Sequence, residues 1–111
     1  NDTWVYDGQT WSQLVTASAP PGRYDHQMAY EQVRKVVVLF GGYRADTGSP
    51  NDTWEFDGTN WHSVTPAATP PQTWVAGMAY YAPWSGIVMF GGHSPNQNDL
   101  KDTMWLYGPE N

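Results

Sequence analysis

The chain repeats itself. Residues 1–50 and 51–100 align without a gap, and 17 of the 50 aligned positions are identical. Each copy contains a short apolar run that stops at a double glycine: Val36 to Gly42 reads Val-Val-Val-Leu-Phe-Gly-Gly, and Ile87 to Gly92 reads Ile-Val-Met-Phe-Gly-Gly. An apolar run of this length bounded by glycine predicts a buried strand. Two glycines suit a chain that leaves a sheet through backbone angles a Cβ forbids, or where another backbone comes close. A repeat near fifty residues restricts the fold to architectures made of stacked, equivalent units.

Each copy opens on an aromatic hairpin, Asn1-Asp2-Thr3-Trp4 to Leu14 and Asn51-Asp52-Thr53-Trp54 to Val64. Asp7-Gly8 and Asp57-Gly58 are expected to supply the positive φ angles of a tight turn. Trp4 with Tyr6, and Trp54 with Phe56, share a face at a spacing of two; Trp11 and Trp61 lie on the second strand. The links Val15 to Arg23 and Thr65 to Thr73 each carry Pro-Pro, which donates no amide hydrogens and belongs outside a sheet. A third strand is expected over Tyr24 to Glu31 and Trp74 to Tyr81, holding Met-Ala-Tyr in both copies, and a turn leads from it into the glycine-ended strand. The loops Tyr43 to Pro50 and His93 to Lys101 follow, and a third copy starts at Asp102-Thr103. It has one residue more before Trp105 than Asp52-Thr53 has before Trp54, which predicts a bulge or a frayed end.

Repeat 1 is thus 1–50, repeat 2 is 51–100, and 101–111 begins a third, all within a single unit. Four short antiparallel strands per repeat, without helical periodicity, predict an all-β chain: about two four-stranded β-propeller blades plus one extra C-terminal strand. A β-sandwich is the alternative, but its strands would not be expected to repeat so regularly, and its faces should alternate more cleanly than Val36 to Phe40 does. Two blades leave two faces wet, so the neighbours are expected to be copies of the chain, in a ring or a head-to-tail filament, or further blades of a longer chain. The chain opens on Asn1, so a processed product or a piece of something longer is expected.

Seventeen aromatic residues in 111 exclude a disordered segment. A net charge of −6 disfavours nucleic acid and anionic lipid, and no basic stripe is present, so nucleic-acid binding is not expected. With no cysteine, disulfides, thiolate metal sites and cysteine nucleophiles are excluded. No apolar run is long enough to span a bilayer as a helix, and membrane insertion is not expected.

The glycine pairs after four apolar positions, the Tyr6 or Phe56 and Trp11 or Trp61 pairs, and Arg23 with His26 before the third strand together resemble kelch repeats. The wording Asn-Asp-Thr-Trp, Asp-Gly, Met-Ala-Tyr and Phe-Gly-Gly is most similar to those of secreted or surface-exposed bacterial proteins, which implies an extracellular or cell-surface setting. The second copy departs from the pattern, with Thr73 in place of Arg23 and Ala76 in place of His26. The resemblance places Tyr24 to Glu31 and Trp74 to Tyr81 innermost and Trp11 and Trp61 outermost. It also implies one rim that contacts partners, whether protein or carbohydrate: Arg23, Tyr24, Tyr43, Arg44, Asp46, Trp74, His93, Asn96, Gln97 and Asn98.

No catalytic residue, metal site or cofactor is expected. His26, His62 and His93 fall on different strands and a loop, so one blade cannot bring them to one metal. Asp2, Asp52 and Asp102, like Asp7 and Asp57, recur at equivalent places, which points to turn and edge chemistry. Among inner-strand groups, Asp25, His26 and Glu31 are the candidates for acid and base. Galactose oxidase-like copper enzymes resemble kelch propellers, but their Cys-Tyr cofactor needs a cysteine. A non-catalytic interaction or self-assembly module is the expected function, with a carbohydrate-binding propeller or a fragment of a larger propeller enzyme as the alternative.

Overall fold

The structure, a computed structural model, describes residues 1–95 and 102–108. These residues form three antiparallel sheets and a single 3-10 turn over Ala82–Trp84. The first sheet pairs β1 (Thr3–Tyr6) with β2 (Trp11–Leu14). The second runs β3 (Gln27–Glu31), β4 (Val36–Phe40), β5 (Thr53–Phe56), β6 (Trp61–Val64), and the third β7 (Gly77–Tyr81), β8 (Gly86–Phe90), β9 (Met104–Tyr107).

The sheets are out of phase with the sequence repeat. The four-stranded sheet takes two strands from repeat 1 and two from repeat 2, because β4 pairs with β5 across the 1–50 boundary, with Val37 opposite Phe56 and Leu39 opposite Trp54. The first sheet therefore holds only the counterparts of β5 and β6, and the third holds counterparts of β3, β4 and β5.

Two local readings are refined. The hairpin loops span four residues, and only Gly8 and Gly58 take positive φ. The Asp7 carboxylate accepts from the amides of Gln9 and Thr10 at 2.8 Å, and Asp57 does the same for Thr59 and Asn60, so the aspartates work through their side chains. The third strand starts at Gln27, not Tyr24: Asp25 and, in the second copy, Val75 turn through φ near +60°, which interrupts the ladder and leaves Tyr24 and Trp74 as isolated bridges.

The extra residue before Trp105 makes no bulge in the strand pairing. Met89 pairs with Trp105 as Leu39 pairs with Trp54, and Ile87 with Tyr107 as Val37 with Phe56. The insertion is absorbed ahead of Met104, so Thr103, rather than Asp102, takes the place of Asp52: its carbonyl accepts from Gly91 as that of Asp52 accepts from Gly41, both at 3.3 Å.

The core lies between sheets. Pleating sends Val38, Phe40 and Thr53 toward Ile87, Met89 and Trp105 of the third sheet, around a cavity of only about 50 Å³. The other face of β4 and its neighbours, with Leu39 and Trp61, meets the first sheet, where the Trp61 indole donates to Thr3 Oγ1 at 2.9 Å. Burial on both faces explains why Val36 to Phe40 is apolar without alternation. The outward faces tell the complementary story. Trp4, Tyr6 and Trp11 are at least half exposed on the first sheet, as are Phe90, Met104 and Leu106 on the third. The shared Met-Ala-Tyr motif behaves differently in its two settings: Met28 and Tyr30 are 51% and 49% exposed, whereas Met78 and Tyr80, which face the second sheet, are half-buried.

Candidate functional site

The glycine pair shapes the turn that follows β4. Gly41 and Gly42 have φ of +70° and +102°, and a Cβ on them would stand 2.4 Å from the Thr73 carbonyl oxygen and 2.8 Å from that of Tyr24. Both reasons for glycine, the dihedral and the close backbone, hold here. The Gly42 amide donates to the Thr73 carbonyl at 3.0 Å and the Val75 amide to that of Asp25 at 3.0 Å, which tie the starts of β3 and β7 together.

Beyond the glycines the chain pairs once more. Tyr24 bridges Tyr43 and Trp74 bridges His93, each through two backbone hydrogen bonds of 2.8–3.0 Å. Four rings are thereby set in a row: Tyr24 to Tyr43 at 5.5 Å, Tyr43 to Trp74 at 5.7 Å, and Trp74 to His93 at 6.2 Å between centroids. Tyr24 and His93, at the two ends, are exposed, and Tyr43 and Trp74 are half-buried. Beside the row, Arg44 bridges Gly48 and its guanidinium makes two bonds to Asp46, at 3.0 and 2.8 Å. The Arg44 bond holds the Asp46 carboxyl down at about 2, so the pair stays ionised in neutral water.

Of the residues that the kelch resemblance assigns to a rim, Tyr24, Tyr43, Trp74, His93, Arg44 and Asp46 thus lie in one region. Arg23 is turned inward with 3% of its side chain exposed, donating to both Asp52 oxygens and to the carbonyls of Gly41 and Pro21. Asn96, Gln97 and Asn98 lie outside the described residues. In the second copy Thr73 fills Arg23's place, buried, donating to the Pro71 carbonyl at 2.7 Å.

Of the acid and base candidates, Asp25 and His26 are neighbours just ahead of β3, and Glu31 ends that strand, on the order of 16 Å from His26 at the rise of a strand. Burial, with Arg23 nearby, depresses the His26 pKa. The Glu31 carboxylate accepts from the Val33 amide at 2.7 Å and from Arg34 Nε at 2.7 Å. Arg34 continues to both oxygens of Glu55, and the Tyr107 hydroxyl of the third sheet donates to Glu55 at 2.5 Å. This chain of four side chains was missed from the sequence; its one visible trace is that Glu31, Arg34 and Glu55 change together to Tyr81, Trp84 and Leu106 in the next unit. His62 pairs with Asp57 at 2.9 Å on the hairpin loop and His93 stacks on Trp74. Among the described residues, no helix is long and apolar enough to cross a membrane.

No protein-family description matches the chain, and a comparison with curated proteins finds no match.

Proposed function

We propose that the chain supplies blades of a kelch-type β-propeller and works as a non-catalytic interaction module whose principal partners are copies of itself. The observation that carries this reading is the contrast between inner and outer faces. Equivalent residues are half-buried where a neighbouring sheet is present and exposed where none is, as Met78 and Tyr80 against Met28 and Tyr30 show. Burying one Tyr or Trp removes roughly 150–250 Å² from water, on the order of 4–6 kcal/mol before entropy is counted, so wet faces of this kind favour association. The stacking order, with β3 beside β7 and the hairpin strands outermost, supports the propeller arrangement. Native mass across a concentration series tests it: particles at multiples of the 12.5 kDa chain are expected, and a 12.5 kDa monomer at all concentrations would refute it.

A second reading rests on the ring row. Four aromatic rings in a line beside a fixed Arg44–Asp46 pair suit a rim that binds protein or carbohydrate, since aromatic and arginine side chains are enriched where surfaces are recognised. Titration of tryptophan fluorescence with oligosaccharides or a captured protein, repeated on Tyr43→Ala and Arg44→Ala, checks it; unchanged affinity in both variants counts against the rim.

A further inference from the structure

The three copies of the hairpin's first strand are not equally alike. β1 reads Thr-Trp-Val-Tyr and β9 reads Met-Trp-Leu-Tyr, whereas β5 reads Thr-Trp-Glu-Phe. Trp4 and Trp105 correspond, and so do Tyr6 and Tyr107, through the register each strand shares with β5. The hydroxyl by which Tyr107 reaches Glu55 is thus present in β1 and absent from β5.

β9 is held on β8 without a fourth strand among the described residues. Beside it runs a groove of about 470 Å³ whose wall includes Pro66, Ala67 and Ala68. The counterparts of Ala67 and Ala68 in the preceding unit, Ala17 and Ser18, hold the start of the second sheet's fourth strand: the Ala17 amide donates to the side chain of Asn60, just ahead of β6, at 2.7 Å, and the Ser18 hydroxyl to the Trp61 carbonyl at 2.5 Å. The groove therefore lies where a strand bearing a tryptophan equivalent to Trp61 would pack. In repeat 1 that tryptophan is Trp11, 62% exposed. A second groove, of about 260 Å³, opens beside Met28, Leu39 and Trp4 on the side of the second sheet where the first sheet has no inner strands.

Deepening the self-assembly reading, we infer that β9 is an internal stand-in for β1 of another copy, and that association exchanges the two. The β1–β2 hairpin of a second copy takes the place of β9 on β8, with Val88 opposite its Val5, and completes a four-stranded sheet. Its Trp4 and Tyr6 replace Trp105 and Tyr107 against the second sheet, and its Trp11 enters the groove at Ala67 and Ala68. In the same step β7 and β8 supply the missing inner half of the second copy's first sheet, so that Phe90 and Tyr81 cover its Met28 and Tyr30. One exchange covers Trp4, Tyr6 and Trp11 of the first sheet and Phe90 and Tyr81 of the third, and releases β9 with Met104, Trp105 and Leu106. Stacking a second copy on an intact third sheet would instead leave Trp11 with no counterpart of the Ala17–Ser18 link to pack against. The contact is head-to-tail, so it closes into a ring or runs on.

Because the chain contains no cysteine, engineered disulfides report on this directly. Val88 and Leu106 are directly opposed, at a separation typical of cross-strand pairs and within disulfide range. The variant Val88→Cys with Leu106→Cys is expected to associate when reduced and to be monomeric when oxidised, since β9 is then locked in place. Association unchanged on oxidation would overturn the exchange while sparing self-assembly; a wild-type monomer at every concentration would overturn both. Val5→Cys with Val88→Cys is expected to give covalent multimers, and only intrachain or free thiols would refute the pairing. If the lock prevents folding, Trp11→Ala decides: its site is exposed in the single chain, and an increase in dissociation constant on the order of 30-fold, as for a buried tryptophan anchor, is expected. An unchanged constant contradicts the exchange.

Discussion

Arg23 and Asp52 show how one residue pair can be replaced as a unit within a single chain. The buried guanidinium meets the carboxylate on two bonds, and at the matching positions of the next unit both partners are threonine, Thr73 and Thr103. Removing one partner leaves an uncompensated charge, so Arg23→Ala is expected to lower stability by about 3 kcal/mol, the low end for a buried pair because Asp52 is one-third exposed. The double variant Arg23→Thr with Asp52→Thr is expected to recover a large part of that loss, as read in a double-mutant cycle by denaturant unfolding. Val75 offers the opposite case. A β-branched residue held at φ +59° is strained, and its side chain is 54% exposed, so Val75→Asn is expected to stabilise by about 1 kcal/mol and raise Tm by about 4 °C in calorimetry.

At the scale of elements, the second and third sheets are joined by a polar latch as well as by apolar packing. Burial and the bond to Glu55 push the Tyr107 hydroxyl up to about 12. A raised pKa stabilises the protonated form: the contribution is complete below the unfolded value near 10 and disappears as pH rises through about 12. Thermal unfolding is therefore expected to fall in midpoint between pH 10 and 12, and Tyr107→Phe to flatten that fall. The carboxylates work in the other direction. Burial would raise Glu31 and Asp52, but the bonds from Arg34 and the loop amides, and from Arg23 and Trp54, more than reverse this and leave both depressed. Their contribution is present above the unfolded value near 4 and is lost as pH drops through the lower folded values, so acid should destabilise the chain below about pH 4, with Arg34→Met weakening the dependence.

For the whole molecule, the decisive fact is that its sheets are unequal. Among the described residues, a two-stranded, a four-stranded and a three-stranded sheet expose Trp4, Tyr6 and Trp11 at one end and Phe90, Met104 and Leu106 at the other. On the self-assembly reading proposed above, association through those faces would couple stability to concentration, so Tm is expected to rise with protein concentration, by mass action, in scans from low to high micromolar chain. A concentration-independent Tm would speak against the self-assembly reading.

Much of this was legible in the residues themselves. The Phe-Gly-Gly stops, the Asp-Gly loops, the Pro-Pro links and the shared Met-Ala-Tyr are local signals, because turn chemistry and period-two alternation act over a few residues. They determined an all-β chain of repeated strands and put Tyr43 and His93 on loops after the glycine pairs, while Tyr24 and Trp74 read as the first residues of a strand. Tertiary structure alone decided which strands share a sheet, since pairing β4 with β5 across the repeat boundary is a contact between units that no single repeat encodes. It also turned Arg23 inward, joined Glu31, Arg34 and Glu55 to Tyr107, and set the insertion before Trp105 in the loop rather than the strand. The physical reason is the same in each case: burial and hydrogen bonding depend on what lies across the gap between sheets, and that neighbour is distant in the chain.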